Sequence, residues 1–201
     1  MISEWLGQVT AMSSWEAIAV LLAIAYLVFA AQEKIVCWLC ALLSTAIYTV
    51  LFWNVSLVME SLLNVYYLLM AIYGWQQWSG GDLGGSAEIH RWGWRNHVAA
   101  TGAVVFCSVI CGYLLASHTS AAWPYVDSFT TFGAVVTTWM VTRKVLENWL
   151  YWLVIDAVSI PLYLERGLML TAALFAMYLV IVVYGYFAWR RLYRNAHHAN
   201  A

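Results

Sequence analysis

Leu168 to Trp189 reads LMLTAALFAMYLVIVVYGYFAW, 22 residues without a charged side chain, closed at once by Arg190 and Arg191. As a helix such a stretch is about 33 Å long, enough to cross the ~30 Å hydrocarbon core of a bilayer. A soluble protein could bury it only under a generous polar cover, and the rest of the chain supplies none. Of 201 residues, 64% are hydrophobic and 9% charged, where an average soluble domain carries about 25% charged residues. Reading outward from this stretch, six more apolar segments follow: Trp15 to Ala31, Ile35 to Trp53, Leu57 to Trp75, Val98 to Ala116, Tyr125 to Thr142 and Leu146 to Tyr163. The fifth is the most polar, with Asp127 and a run of threonines, but Pro124 and Arg143-Lys144 bracket it. The expectation is an all-α integral membrane protein of seven transmembrane helices. Trp and Tyr gather near many segment ends, where amphipathic rings sit at the headgroup level.

Lys and Arg alternate cleanly between these segments. Lys34, Arg91, Arg95, Arg143, Lys144, Arg190, Arg191 and Arg194 fall on one side and Arg166 on the other. The positive-inside rule then predicts an outside amino terminus and a cytoplasmic carboxyl terminus. Met1 to Thr10 has no Lys or Arg and contains Glu4, so it lacks the basic start of a cleaved secretory signal, and the first segment is expected to stay as a span.

A shift of 111 residues lays Tyr73-Gly74-Trp75-Gln76-Gln77-Trp78 on Tyr184-Gly185-Tyr186-Phe187-Ala188-Trp189. The same shift puts Trp38 on Trp149 and Tyr67 on Tyr178 without a gap. Segments one to three therefore match segments five to seven, in a 3+1+3 parallel-repeat arrangement with the fourth as linker. Parallel repeats imply a pseudo-twofold axis along the membrane normal, as in some transporters. The boundaries that follow are an N-terminal segment 1–14, a first three-helix repeat 15–78, a cytoplasmic linker 79–97, a linker transmembrane helix 98–116, an outer loop 117–124, a second three-helix repeat 125–189 and a cytoplasmic tail 190–201. The linker's Ser79-Gly80-Gly81-Asp82 and Gly84-Gly85 read as a flexible connection, since neither the spacing nor the preceding strand of a phosphate loop is present.

Polar residues form stripes at helical spacing. The third segment has Glu60, Asn64, Tyr67, Ala71, Gly74 and Trp78 on one face; the seventh has Thr171, Tyr178, Val182, Gly185 and Trp189. Helix five aligns Asp127, Thr131, Ala134, Thr138 and Thr142, and helix six aligns Trp149, Trp152, Asp156, Ser159 and Tyr163. Under the repeat shift, Trp152 and Asp156 correspond to Ala41 and Thr45, so the halves share a scaffold but not a chemistry. An asymmetric site of this kind suits a bulky organic molecule. Asp156 lies mid-helix, where a charge costs about 2.5 to 3.5 kcal/mol on insertion scales. Three roles are open to it: bonding between helices to groups such as Thr45 or Tyr48, lining a ligand site, or proton coupling. Glu60 and Asp127 stand nearer segment ends, where hydrated caps are as good a reading as ligand contacts. Aromatics beside carboxylates would suit a flat cationic ring, and Asn64, Thr131 and Thr138 could hydrogen-bond a sugar.

The third segment, Glu60-Ser-Leu-Leu-Asn64-Val-Tyr-Tyr67 through Tyr73-Gly74-Trp75-Gln-Gln-Trp78, resembles the signature of bacterial nicotinamide riboside transporters of the PnuC family. So does the second half: Pro124-Tyr-Val-Asp127-Ser-Phe-Thr-Thr131, Thr142-Arg-Lys144-Val-Leu-Glu147-Asn148-Trp149-Leu-Tyr-Trp152, Asp156, Ile160-Pro-Leu-Tyr163, Gly167, Tyr184-Gly185 and Trp189. The resemblance implies uptake of nicotinamide riboside (vitamin B3) for NAD biosynthesis, by facilitated diffusion and alternating access through a central aromatic and polar site. It also implies a SWEET-like fold in the bacterial cytoplasmic (inner) membrane, contact with membrane lipids, and a homo-oligomer, as a trimer. The family's sites fall here on Asn64 and the aromatic stripe below it, with Tyr67, on Asp127 and Thr131, and on Trp149, Trp152 and Asp156, with Tyr178 and Trp189 in the final-helix signature. Thr138 completes the expected substrate-binding set, and Gly74 and Gly185, at matching repeat positions, are candidates for gating or packing with Trp78 and Trp189. Thr138 departs from the Gln that the resemblance leads one to expect before Trp139, which removes one candidate hydrogen bond to substrate.

Other classes find less support. A proton-coupled carrier of another nucleoside or vitamin, and a non-transporting scaffold or receptor, are the alternatives. An enzyme is not expected: His90, His97 and His118 are scattered, His197-His198 lie in the tail, and no metal or cofactor constellation is evident. Cys37-Trp-Leu-Cys40 and Cys107/Cys111 read as small apolar packing residues. The short basic tail fits membrane-surface attraction better than nucleic-acid binding.

Overall fold

The computed structural model describes residues 14–54, 58–80, 88–119, 123–165, 167 and 169–199. Among them are seven helices: α1 (Ser14–Ala31), α2 (Val36–Asn54), α3 (Val58–Trp78), α4 (Trp94–His118), α5 (Pro124–Thr142), α6 (Asn148–Glu165) and α7 (Met169–Ala199). The fold is an all-α, seven-helix membrane fold. Helices of 18 to 21 residues reach about 27 to 31 Å, the thickness of the hydrocarbon core. α1, α4 and α7 are long and apolar enough to cross on those grounds alone. The third, fifth and sixth helices bear the polar stripes, which lower their hydropathy. Two ends differ from expectation. α4 starts at Trp94 rather than Val98, and α7 continues past Trp189 to Ala199, because Arg190 to Ala199 contains good helix formers and no breaker. The glycines at 84 and 85 and Arg166 lie outside the described residues, as does the side chain of Glu60.

The chain forms two units, Met1–Glu88 with Phe187–Ala201, and Ile89–Tyr186. In the first, α1 packs on α2 and α2 on α3. Ser44 donates from α2 to the Ala19 carbonyl at 2.8 Å, and Ser61 from α3 to the Thr49 carbonyl at 2.9 Å. Trp38 is the centre of this unit. Its ring lies against Gly74, where any Cβ would collide with it, and meets Tyr26 at 5.9 Å and Trp78 edge-on at 5.4 Å. Trp78 in turn meets Trp189 at 6.0 Å, and the Trp189 indole donates to the Ala30 carbonyl at 2.9 Å. The carboxyl ends of α1 and α3 are thus gathered at one end with residue 189 of α7.

In the second unit α4 packs on α5 and α5 on α6. Trp149 here takes the place that Trp38 has in the first: it is buried, and a Cβ on Gly185 would stand 2.6 Å from its Cζ3. Gly112 makes room in the same way for Tyr125. The α5–α6 turn is clamped by the segment preceding α4. His90 donates to the Lys144 carbonyl at 3.1 Å and accepts from Leu146 at 2.9 Å. Arg91 Nε meets Glu147 Oε1 at 2.7 Å, and the Trp92 amide donates to Glu147 Oε2 at 3.2 Å. Trp139, Trp92, His97 and Tyr151 continue from this clamp as successive ring contacts.

The turns that end α1 and α5 have the same backbone design. Glu33 and Lys144, 111 residues apart, both adopt left-handed backbone, with φ of 58° and 52°. In each turn the amide of the next residue bonds back across the turn, Lys34 to Phe29 at 2.9 Å and Val145 to Met140 at 3.0 Å. The inner bond runs from Glu33 to Ala30 at 3.0 Å and from Lys144 to Val141 at 3.0 Å. This pair of bonds is the Schellman motif, which satisfies the last helix carbonyls. The following helices begin alike, with Cys37 bonded to Lys34 and Asn148 bonded to Val145. A non-glycine residue in this conformation costs about 1–2 kcal/mol, and both turns bear that cost at the same position.

Candidate functional site

Helices α5 and α6 hold most of the buried polar residues of the second unit. On α6 the spacing of Trp152, Asp156, Ser159 and Tyr163 aligns them on one face, and Trp149 begins the same stripe. The structure separates these residues by environment. Trp149 is 1% exposed and packed over Gly185, so its ring is already covered. Trp152 is half-buried and its ring is the more accessible of the two.

Asp156 is 3% exposed, and among the described residues no hydrogen-bond donor or counter-ion reaches its carboxyl group. Its neighbour Ser159 turns its hydroxyl to the Ile155 carbonyl at 2.8 Å. Thr45, the residue at the Asp156 position of the first half, donates to the carbonyls of Ala41 at 2.8 Å and Leu42 at 3.2 Å on its own helix. An unpaired carboxyl group buried in a membrane protein costs several kcal/mol. It persists where water or a ligand completes its bonding.

On α5, Pro124 occupies the first turn and Asp127, half-buried, follows it. Thr131 is half-buried, and its hydroxyl makes no hydrogen bond to the described residues. Thr138 is 7% exposed and donates to the Ala134 carbonyl at 2.7 Å; Thr142 donates to the Trp139 carbonyl at 2.7 Å. These two hydroxyls keep only acceptor capacity for anything else. Tyr178 on α7 stands 5.5 Å from Phe175, which lies 4.9 Å from Tyr163. Phe175 is absent from the residues singled out by sequence, although the repeat shift lays it on Asn64 and so on the same stripe. Comparing the two stripes residue by residue would have found it.

In the first unit Asn64 and Tyr67 are half-buried, with the Tyr67 ring 5.6 Å from Tyr66. Gly74 and Trp78 belong to the Trp38 cluster described above, and Trp189 joins them there. No group of three or more His, Cys, Asp or Glu suited to a metal ion occurs among the described residues. None of the four cysteines forms a disulfide among the described residues.

The family model described as nicotinamide mononucleotide transporter matches residues 13–191. The chain belongs to this family. Its members are transporters rather than enzymes. Among curated relatives, the riboflavin/roseoflavin transporter RibM of Streptomyces davaonensis is 26% identical over 61% of this chain and 59% of its own length. The chain thus spans somewhat under two thirds of that relative. The nicotinamide riboside transporter PnuC of Escherichia coli is 25% identical over 77% of this chain and 76% of its own length. The crystal structure of the vitamin B3 transporter PnuC shares the fold, with a TM-score of 0.73 at 24% identity, covering 96% of this chain and 87% of that one. The chain accordingly has the multi-pass, seven-helix membrane fold of a transporter family.

Proposed function

We propose that this transporter carries nicotinamide riboside into the cytoplasm, by facilitated diffusion and alternating access. The observation that bears most weight is Asp156. A buried carboxyl group without a protein partner suits a substrate whose nicotinamide ring bears a fixed positive charge, and the half-buried Trp152 one turn away offers a ring face to the same cation. Thr131 and Asp127 on α5 supply groups for a ribose, Tyr178 adds an aromatic group within the same unit, and the family resemblance adds Asn64 and Tyr67 as substrate-binding positions. Trp149, Gly185, Gly74, Trp78 and Trp189 act as packing residues that hold the stripes in register. Thr138, with its hydroxyl proton already engaged, contributes least.

The 3+1+3 parallel arrangement, similar to SWEET transporters and with the boundaries given above, is supported by the paired turns at Glu33 and Lys144 and by the paired Trp–Gly contacts. An outside amino terminus and cytoplasmic carboxyl terminus follow from the Lys and Arg alternation. Assembly as a homotrimer rests on the family resemblance.

A second reading is favoured by the Streptomyces relative: the substrate is riboflavin, a flat vitamin without a fixed positive charge. Binding of radiolabelled nicotinamide riboside to the purified protein, competed by unlabelled riboside, riboflavin or thiamine, separates the readings. The riboside should compete and riboflavin should not. Replacing Trp152 with Ala should weaken riboside binding while leaving membrane expression intact; unchanged affinity in that folded variant would remove Trp152 from the site.

A further inference from the structure

The two ends of α6 are held very differently. At its start, the turn is fixed by the Arg91–Glu147 ion pair at 2.7 Å, the His90 backbone bonds to Lys144 and Leu146, and Trp149 seated over Gly185. Asn148, fully buried, adds a bond from its side chain to the Val145 carbonyl at 2.7 Å. Near its other end stands Pro161, inside the helix. Proline has no amide hydrogen, so the Ala157 carbonyl loses its helical donor there, and the helix can bend at that point. Beyond Pro161, Tyr163 meets Phe175 on α7 at 4.9 Å, and Phe175 meets Tyr178 at 5.5 Å. Such ring pairs hold by packing and quadrupole contact, whereas the start of the helix is pinned by an ion pair and several hydrogen bonds.

The order along α6 gives these features a joint meaning. Asp156, Ser159 and Tyr163 follow one another on one face, and Tyr163 stands about 10 Å further along the helix than Asp156. Ser159 and Leu162, between them, are 3% and 4% exposed. The Tyr163–Phe175 pair therefore lies beyond Asp156 along α6, toward the α6–α7 turn. The first half has no counterpart: the repeat shift lays Pro161 on Val50 and Phe175 on Asn64.

We propose that the Tyr163–Phe175 ring pair is the gate at the α6–α7 end of the carrier, opened by bending of α6 at Pro161. The gate rests on Asp156 as part of the substrate site, but its closure is testable without substrate. The test uses protein with Cys37, Cys40, Cys107 and Cys111 replaced by Ala and Ser159→Cys as reporter, labelled by a membrane-impermeant thiol reagent from the α6–α7 side. In Phe175→Ala the labelling rate should rise at least tenfold, and Phe175→Leu, which keeps apolar bulk, should fall between. Pro161→Ala should leave labelling at or below the parent rate and cut riboside flux at least fivefold, with riboside affinity within threefold. An unchanged labelling rate in Phe175 variants that elute as folded protein would overturn the gate, as would full flux in Pro161→Ala. If labelling rises as expected but the parent protein binds no riboside, the gate stands and the substrate reading falls.

Discussion

The first and second triplets are built alike where they pack and unlike where they are polar. Trp38 over Gly74 and Trp149 over Gly185 are the same contact, and the turns at Glu33 and Lys144 close with the same bonds. Yet Thr45 spends its hydroxyl on its own helix, whereas Asp156 at the matching position has no partner among the described residues. Val50 and Asn64 are matched by Pro161 and Phe175. The packing contacts match between the triplets and the polar residues differ, a contrast that suits an asymmetric organic substrate.

The largest effect expected is on the shared scaffold. Gly74→Ala and Gly185→Ala each force a methyl group into an indole, an overpacking of about 1–3 kcal/mol or more. Both should lose most of the monodisperse protein in size-exclusion chromatography, to a similar extent. If one copy tolerates the change and the other does not, the halves are not structurally equivalent.

Next comes the polar difference. Asp156→Asn should lower nicotinamide riboside affinity at least tenfold, about 1.4 kcal/mol, while Thr45→Val stays within about threefold of the parent, since ~1 kcal/mol or less is at stake in a hydroxyl bonded to its own helix. Isothermal titration of both variants measures the contrast. Equal losses would make the site symmetric after all.

These two tests also mark what was legible in the sequence. The spans can be read because apolar length is a property of the chain itself, and the matching Trp–Gly contacts because Trp and Gly recur at a fixed shift. The site is only partly legible. Trp149 and Trp152 share one stripe, and only burial distinguishes the packed ring from the accessible one. Phe175 escapes notice because an aromatic replaces Asn64 on a face otherwise sought by polarity. The Glu147 clamp is invisible because its partner, Arg91, comes from another segment, which periodicity alone cannot bring near.

A smaller effect is expected from that clamp. Glu147→Gln removes one charge from an ion pair with exposed Arg91 but keeps an acceptor for the Trp92 amide, so stability should fall by about 1 kcal/mol or less, read as a modest drop in thermal midpoint. The first half has Val36 at the matching position and already does without it. The smallest change should come from the threonines of α5. Thr131→Val should weaken riboside binding about threefold, roughly 0.7 kcal/mol, and Thr138→Val less, because its hydroxyl already donates to Ala134. A larger loss at Thr138 than at Thr131 would reverse their assigned roles.

The most direct test is uptake of radiolabelled nicotinamide riboside into liposomes containing the purified protein. Saturable uptake is expected, suppressed by unlabelled riboside, unaffected by riboflavin and equal with or without a proton gradient. Flux no greater than in protein-free liposomes, or uptake that riboflavin displaces, would contradict the account.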